Sequence, residues 1–238
     1  MIPVLMYHIV DDENDAAISI PVKLFQDHVA FLKENGYHTL SVDDYIDAVK
    51  HRTPVSKKAV LITFDDAYVD VIDQAAPVLL NVAFTATIFV VGNYTGKLNW
   101  WNRKACYLKP HMTWEQVHDL ARLGFDLGAH TLEHHCLVKL SRDTIHEEMF
   151  ESKRLIEENT GAKVKSFSYP YGDFNSAAEE IARELFEVAF SVRQGSDDCW
   201  QFPYRINRWG VDRNWTVARL ADELSREPSN LLTRNSVT

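Results

Sequence analysis

The most informative segment of this 238-residue chain lies at residues 59–66, which read AVLITFDD. Ala59–Phe64 is a nearly continuous apolar run, and such a run is typical of a parallel strand that is buried on both faces. Two carboxylates, Asp65 and Asp66, follow the run directly. Because functional groups of parallel α/β folds collect at the carboxyl ends of the strands, these aspartates mark a candidate site.

Similar apolar segments alternate with segments of helical period along the whole chain. Strands are predicted at residues 2–7, 38–40, 59–64, 84–91, 125–129, 164–169 and 188–192, with a further candidate at 205–209. Helices are predicted at residues 22–35, after a Ser41 cap, at 68–80, from a Thr113–Gln116 capping box to Gly124, around 145–156, and at 176–185 and 215–224. This alternation predicts an α/β fold with a parallel sheet, open or closed into a barrel. No Gly/Ser/Pro linker divides the chain, so residues 1–224 are predicted to form a single domain, followed by a polar tail at 225–238.

The composition excludes several classes of protein. Apolar residues make up 46% and charged residues 25%, as in soluble globular proteins. The net charge of −9 argues against nucleic acids and anionic membranes as main partners, because both are polyanions. No apolar run is long enough for a transmembrane segment, and no Cys-x-x-Cys suggests a thiolate zinc site or a disulfide framework. The N-terminus has no basic leader, so a cytoplasmic location is expected, or a periplasmic or secreted one if an export segment has been removed.

Histidines follow two further predicted strands. His130 comes directly after one strand, with His134 four residues on, and the first strand ends at His8. Two imidazoles and a carboxylate form a typical ligand set for a first-row metal ion. Successive side chains on an extended strand point to opposite sides, so one of Asp65 and Asp66 can ligate while the other faces the reacting water. Three protein ligands leave a position open for a metal-bound water that attacks a carbonyl.

Three ordered motifs resemble those of the NodB-homology polysaccharide deacetylases, carbohydrate esterase family four. They read TFDD at 63–66, HTLEH at 130–134 and YPYG at 169–172, and the segment MTWEQ at 112–116 is also similar to this family. The resemblance implies a distorted, incompletely closed (β/α) barrel of about seven parallel strands. It also implies a metal-dependent hydrolase that removes N-acetyl groups from an N-acetylated amino sugar or polysaccharide.

The resemblance assigns a role to each motif residue. Asp65 is the expected general base, and Asp66, His130 and His134 are the expected ligands of one divalent metal ion. Zinc suits this ligand set best, with cobalt, nickel or iron as alternatives. The backbone N–H of Tyr171 is expected to stabilise the oxyanion. His135 stays open as an alternative to His134.

The chain departs from the family pattern at two places. The family commonly has an arginine where this chain has Ser168, and Arg208 ranks before Arg205 and Arg213 as its replacement. The late catalytic histidine of the family is also missing, since no histidine follows His146. His8 is the expected general acid instead, as in a circularly permuted subgroup similar to the poly-N-acetylglucosamine deacetylases. The first and last strands of a closed barrel are neighbours, so one site can be filled from either end of the chain.

Several questions stay open at this level. Trp100, Trp101 and Trp114 are candidates for a sugar-binding groove or for loop packing. The remaining histidines outside the motifs are predicted to be helix or loop residues: His111, His118 and His146. Two other functions compete with deacetylation, namely hydrolysis of a cyclic amide or ureide and carbohydrate binding without catalysis. The sugar, its chain length, the native metal and the oligomeric state are not determined by the sequence.

Overall fold

The computed structural model of the protein describes residues 2–13, 16–101, 108–195 and 201–225. Its strands are β1 (Val4–Tyr7), β2 (Ile9–Val10), β3 (Ser19–Ile20), β4 (His38–Thr39), β5 (Ala59–Phe64), β6 (Thr87–Val90), β7 (Asp126–Ala129), β8 (Ser166–Ser168), β9 (Val188–Phe190) and β10 (Trp209–Gly210). Its α-helices are α1 (Val22–Glu34), α2 (Val42–His51), α3 (Ala76–Asn81), α4 (Trp114–Arg122), α5 (Arg142–Thr160), α6 (Ser176–Leu185) and α7 (Val217–Ser225).

Seven strands form one parallel sheet in the order β10-β1-β5-β6-β7-β8-β9, and β4 pairs with β5 beside this path. The sheet curls into a half-barrel, which confirms the predicted α/β fold with an incompletely closed barrel of about seven parallel strands. Ile206 makes a parallel bridge to Phe190, so the segment between β9 and β10 approaches both ends of the sheet. The strands β2 and β3 form a separate parallel pair.

The strand β5 is buried along its whole length, as its sequence predicts. Its even-numbered residues, such as Val60 and Ile62, belong to the large core cluster that also contains residues of α1, α4, α5 and α6. Its odd-numbered residues, such as Leu61, pack in a second cluster with Phe89, Phe190 and residues of α2. The alternation of side chains along a strand thus places a core on both faces of the sheet.

The two predicted helix caps, Ser41 and Thr113, both begin helices in the structure, and each forms a capping box. Ser41 accepts a hydrogen bond from the Asp44 backbone N–H at the start of α2, and Thr113 does the same for Gln116 at the start of α4. The helix predicted at 68–80 is divided into a π-helical turn, Val71–Ala75, and α3. Pro77 lies in the first turn of α3, directly after the π-helical turn.

The structure shortens several predicted elements. The strand predicted at 84–91 pairs only over Thr87–Val90, and the candidate at 205–209 is reduced to the Ile206 bridge and β10. The tail predicted from residue 225 begins one residue late, because Ser225 ends α7, and the rest of it lies outside the described residues. Within the described residues, no helix combines the length and the apolar character that a membrane crossing needs.

Candidate active site

A cavity of about 420 Å³ lies at the carboxyl ends of β1, β5 and β7. The residues that directly follow these strands line it: His8 after β1, Asp65 and Asp66 after β5, and His130 after β7. The strands β1 and β5 pair in parallel, and the backbone N–H of Asp65 donates to the Tyr7 carbonyl at 3.0 Å. Parallel pairing therefore brings His8 and Asp65 to the same level of the sheet, as the strand-end argument predicts.

The chain turns sharply after β5. Asp66 and Ala67 have φ angles of 72° and 54°, in the left-handed region that costs non-glycine residues about 1–2 kcal/mol each. The Ala67 carbonyl accepts a hydrogen bond from the Met112 N–H at 2.9 Å, and the Asp66 carbonyl accepts one from His111 Nδ1 at 2.6 Å. This turn takes Asp66 out of the extended strand, so both aspartates line the same cavity.

Three buried side chains converge in this cavity. Asp66 Oδ1 lies 3.5 Å from His130 Nε2 and 3.3 Å from His134 Nε2. One ligand atom from each residue lies within 4.8 Å of the other two. The structure thus brings together the three residues that the sequence predicts as metal ligands.

The donor set of this cluster fits a divalent cation. His130 Nδ1 donates to the Ser168 carbonyl at 2.7 Å, so in the neutral imidazole the Nε2 atom carries a lone pair. Asp66 Oδ1 is buried and has no hydrogen-bond partner among the residues that the structure describes. Burial and the nearby Asp65 charge raise the pKa of Asp66 to about 8, so an ionised Asp66 needs a positive partner here. Burial lowers the pKa of His130 and His134, which keeps both imidazoles neutral and able to ligate.

The two adjacent histidines occupy different environments. His134 has a φ angle of 56°, its N–H donates to Thr131 Oγ1 at 3.0 Å, and its ring stacks on Trp101 with centroids 4.2 Å apart. The side chain of His135 is 44% exposed, and its Nδ1 lies 2.8 Å from Glu148 Oε1. The structure therefore directs His134, and not His135, toward Asp66.

Asp65 forms a buried ion pair with Arg208. Arg208 Nη1 and Nη2 each lie 2.7 Å from one Asp65 oxygen, while Nη1 also donates to Thr63 and Nη2 to Ser168. The Nε–H donates to the Ser191 carbonyl at 2.8 Å, so all five guanidinium hydrogens have acceptors.

Arg208 is the arginine that contacts Asp65 among the three candidates. Arg205 lies over the Phe202 ring, and Arg213 donates to Ser19. Ser168, at the position of the family arginine, keeps a smaller part of that role because its hydroxyl donates to Asp65 Oδ2 at 3.0 Å.

The surroundings of Asp65 and His8 shift their pKa values in known directions. Burial raises the pKa of Asp65, but the charge of Arg208, the charge of His130 and the Arg208 hydrogen bonds together outweigh burial and hold this pKa well below its usual range. Burial lowers the pKa of His8 to about 4, against the opposing effect of the Asp65 charge. At neutral pH, Asp65 is therefore ionised and His8 is neutral.

Tyr171 lies at the rim of the cavity in a left-handed conformation with φ 61°. Its hydroxyl lies 3.2 Å from His134 Nδ1, so its side chain contacts the metal cluster while its backbone forms the turn after β8. Gly172 is required at the next position. It has φ 71°, and a Cβ there would lie 2.2 Å from the Val192 side chain.

Two buried residues next to the cluster were not predicted from the sequence. His111 was predicted to be an ordinary helix or loop residue, yet it is buried and supports the Asp66 backbone. Glu148 belongs to the core-facing side of α5 and binds the turn that carries His134. In the sequence, Glu148 could have been recognised as a charged residue on the apolar face of a helix. For His111, the one indication is its position directly before the MTWEQ segment.

The sequence pattern of the family described as polysaccharide deacetylase matches residues 52–186, more than half of the chain. The chain belongs to the polysaccharide deacetylase family. This confirms the predicted family and the predicted enzyme class, a hydrolase that acts on polysaccharides. A curated relative from Bacillus subtilis strain 168, named putative polysaccharide deacetylase YxkH, is 31% identical over 208 residues, which cover 87% of this chain and 70% of the relative.

More distant relatives carry specific names. The poly-beta-1,6-N-acetyl-D-glucosamine N-deacetylase of Escherichia coli K12 is 22% identical over 92% of this chain, and this chain spans 38% of that protein's length. Among solved structures, the Streptococcus pyogenes deacetylase PplD in complex with acetate has a TM-score of 0.84 at 24% identity, with 95% of this chain and 98% of that chain covered. This deacetylase and the present chain therefore share a fold.

Proposed function

We propose that this polysaccharide deacetylase removes N-acetyl groups from a polymer of N-acetylated glucosamine by hydrolysis at the Asp66, His130 and His134 cluster. The observation that carries the proposal is the meeting of this cluster with the Asp65–Arg208 ion pair in one cavity. The polymer is proposed because several relatives are named poly-beta-1,6-N-acetyl-D-glucosamine N-deacetylases.

The three cluster residues would hold one divalent cation, and zinc suits two imidazoles and one carboxylate best. A cation in this position polarises an acetamide carbonyl and makes a water molecule more acidic. Asp66 contributes the negative charge, and the hydrogen bond from His130 Nδ1 to the Ser168 carbonyl keeps that ring oriented.

Asp65 is the proposed general base. The Arg208 guanidinium binds both of its oxygens, which fixes the carboxylate in the cavity wall and keeps it ionised. An oriented carboxylate can take a proton from the water that attacks the acetyl carbon. General acid–base assistance of this kind typically accelerates a reaction by about 10²–10⁴-fold.

His8 is the proposed general acid, and it starts the reaction neutral because burial lowers its pKa. Asp65 therefore passes the proton that it takes from the water to His8, and the imidazolium formed in this way delivers that proton. It passes to the departing nitrogen as the carbon–nitrogen bond breaks, so the products are acetate and the free amine. The Tyr171 N–H is the proposed donor to the oxyanion, and a donor of this kind contributes about 3–4 kcal/mol.

Aromatic side chains line the approach to this centre. Trp101 lines the main cavity, and Trp100, which is 44% exposed, lines an adjoining cavity of about 510 Å³ that shares His134 and Tyr171 with it. We propose that the indole rings of Trp101 and Trp100 stack on neighbouring sugar rings of the polymer. Trp114 instead packs against the core at the start of α4.

The test combines metal analysis with acetate release from β-linked N-acetylglucosamine oligomers, with and without a chelator. Asp65→Asn is expected to retain the metal and lose about 10²–10⁴-fold in turnover. His130→Ala is expected to lose the metal. His146→Ala is the matched control, since His146 is exposed on α5, stacks on Phe150 and lines neither of the two cavities.

Three results would contradict the proposal. Full turnover in Asp65→Asn would show that Asp65 is not the general base, and full turnover in His130→Ala would show that His130 is not a required metal ligand. Chelator-sensitive turnover of a cyclic amide or ureide, without acetate release from oligosaccharides, would favour the competing hydrolase function. Glycan binding without any chelator-sensitive turnover would indicate a binding module.

A further inference from the structure

The turn that carries His134 has an unusual backbone. Thr131 and His134 both adopt left-handed conformations, with φ angles of 64° and 56°. Each costs about 1–2 kcal/mol for a residue with a side chain. A turn of this kind keeps its shape only when neighbouring groups hold it.

Glu148 holds this turn from the side of α5. Its Oε2 accepts hydrogen bonds from the backbone N–H groups of Leu132 at 3.0 Å and Glu133 at 2.9 Å. Its Oε1 lies 2.8 Å from His135 Nδ1. The residue is 5% exposed, so this single carboxylate is buried against three residues of the turn, which flank His134 on both sides.

Glu148 differs from the other buried carboxylates at this end of the sheet. Asp65 is paired with Arg208, whereas within the described residues the ion-pair partner of Glu148 is His135 alone. A carboxylate is costly to bury without a basic residue, and backbone N–H groups then carry much of the compensation. The side chain therefore serves the turn directly.

The turn is also held from the opposite side. The N–H groups of Gly92 and Asn93, which follow β6, donate to the carbonyls of Thr131 at 3.1 Å and Leu132 at 2.9 Å. The turn thus lies between a strand end and a buried helix residue. Without Glu148, the amides of Leu132 and Glu133 lose their acceptors while the other side stays in place.

We propose that Glu148 is the positioning residue of the metal centre. Glu148 binds the His135 ring and the backbone amides of Leu132 and Glu133. These contacts orient His134 Nε2 toward Asp66 Oδ1. Glu148 thereby fixes which of two adjacent histidines serves as ligand. The inference rests on the proposed metal site, and it gives α5 a role in the reaction that no motif residue reveals.

The experiment compares metal affinity in full-length variants by competition with a chromophoric chelator, using zinc and cobalt. Glu148→Ala is expected to weaken affinity by about 10–100-fold, as the loss of a group that orients a metal ligand typically does. Glu148→Gln keeps a carbonyl oxygen for both amides, so it is expected to restore affinity close to wild type. Glu147→Ala, an exposed neighbour on the same helix with the same charge change, is expected to bind like wild type.

The cobalt absorption spectrum and a direct test of the two histidines complete the design. The spectrum reports ligand geometry, so it is expected to change in Glu148→Ala and to return in Glu148→Gln. His134→Ala is expected to lose the metal as His130→Ala does. His135→Ala is expected to keep it, because Glu148 still binds the two amides, and this result does not depend on whether Glu148→Ala folds.

Wild-type affinity and an unchanged cobalt spectrum in folded Glu148→Ala would overturn the inference. So would metal loss in His135→Ala, because His135 would then be a ligand. If wild type and His130→Ala bind metal equally, the proposed metal site is wrong and this inference falls with it. If wild type binds and His130→Ala does not, the site stands and the Glu148 variants alone decide.

Discussion

Replacing Arg208 with methionine is expected to destabilise the protein by about 3–5 kcal/mol, because it leaves a buried carboxylate without its positive partner. Asp65 is 1% exposed, and among the described side chains the Ser168 hydroxyl is the donor that it keeps once the guanidinium is gone. The Ser191 carbonyl also loses its bond from Nε. Native proteins are stable by only about 5–15 kcal/mol, so the loss is a large fraction of the total.

The double variant Asp65→Asn with Arg208→Met isolates the charge effect. It removes both members of the ion pair, so we expect it to be more stable than Arg208→Met alone by about 1–3 kcal/mol. Urea unfolding at pH 7 measures both, with midpoints compared at unchanged slope. This readout is independent of activity, which both variants are expected to lose.

The loss in free energy of unfolding that Arg208→Met causes is also expected to depend on pH. In the wild type, the folded-state pKa of Asp65 lies below its ordinary value of 3.8, so its contribution to stability is present above that pH and is lost on further acidification. In Arg208→Met, burial without the guanidinium raises the same pKa. The gap in stability between the two proteins should then narrow as the pH falls from 7. A cost below about 1 kcal/mol, or no recovery in the double variant, would refute the reasoning.

Three further predictions address other parts of the molecule. Burial raises the pKa of Asp70 to about 7, so its protonated form stabilises the fold at low pH and this contribution is lost as the pH rises through 7. As the pH rises from 5 to 8, the free energy of unfolding of Asp70→Asn should therefore increase relative to that of wild type by on the order of 1–3 kcal/mol. Thermal unfolding measures this difference, and an identical pH dependence in the two proteins would contradict the prediction. Gly128→Ala should destabilise β7 by about 1–3 kcal/mol, because the new Cβ would lie 2.4 Å from the Phe89 ring, and an unchanged melting temperature would contradict the packing. Trp100→Ala should raise KM for long oligosaccharides more than for a disaccharide, and equal KM values in steady-state kinetics would remove the proposed stacking role.

The sequence predicted the Asp66, His130 and His134 cluster because Asp66 comes shortly after the buried strand β5, and the two histidines come after the buried strand β7. A strand such as β5 is recognisable from its apolar run alone, and parallel pairing brings strand ends to one edge. The same argument places His8 beside Asp65, although His8 lies near the N-terminus and precedes all three motifs in the sequence. It does not distinguish His134 from His135, since both lie within the same short turn.

The side chains that orient this cluster could not be predicted from the sequence, because they act through contacts with backbone groups. His111 binds the Asp66 carbonyl, and Glu148 binds the amides of Leu132 and Glu133. Every residue except proline offers a backbone amide and every residue a carbonyl, so contacts to them leave no motif. Arg208 was one of three candidates because a guanidinium can reach a buried carboxylate from several segments.

The order of residue types along this chain determined its alternating strands and helices, its parallel sheet and the chemistry at the strand ends. Local hydrophobic periodicity and parallel pairing are sufficient for that, because they act over a few residues and one neighbouring strand. The tertiary structure decided which histidine meets Asp66, which arginine holds Asp65 and how the left-handed turns are supported. Those choices depend on distances of about 3 Å between segments far apart in the chain, and only the packed fold sets them.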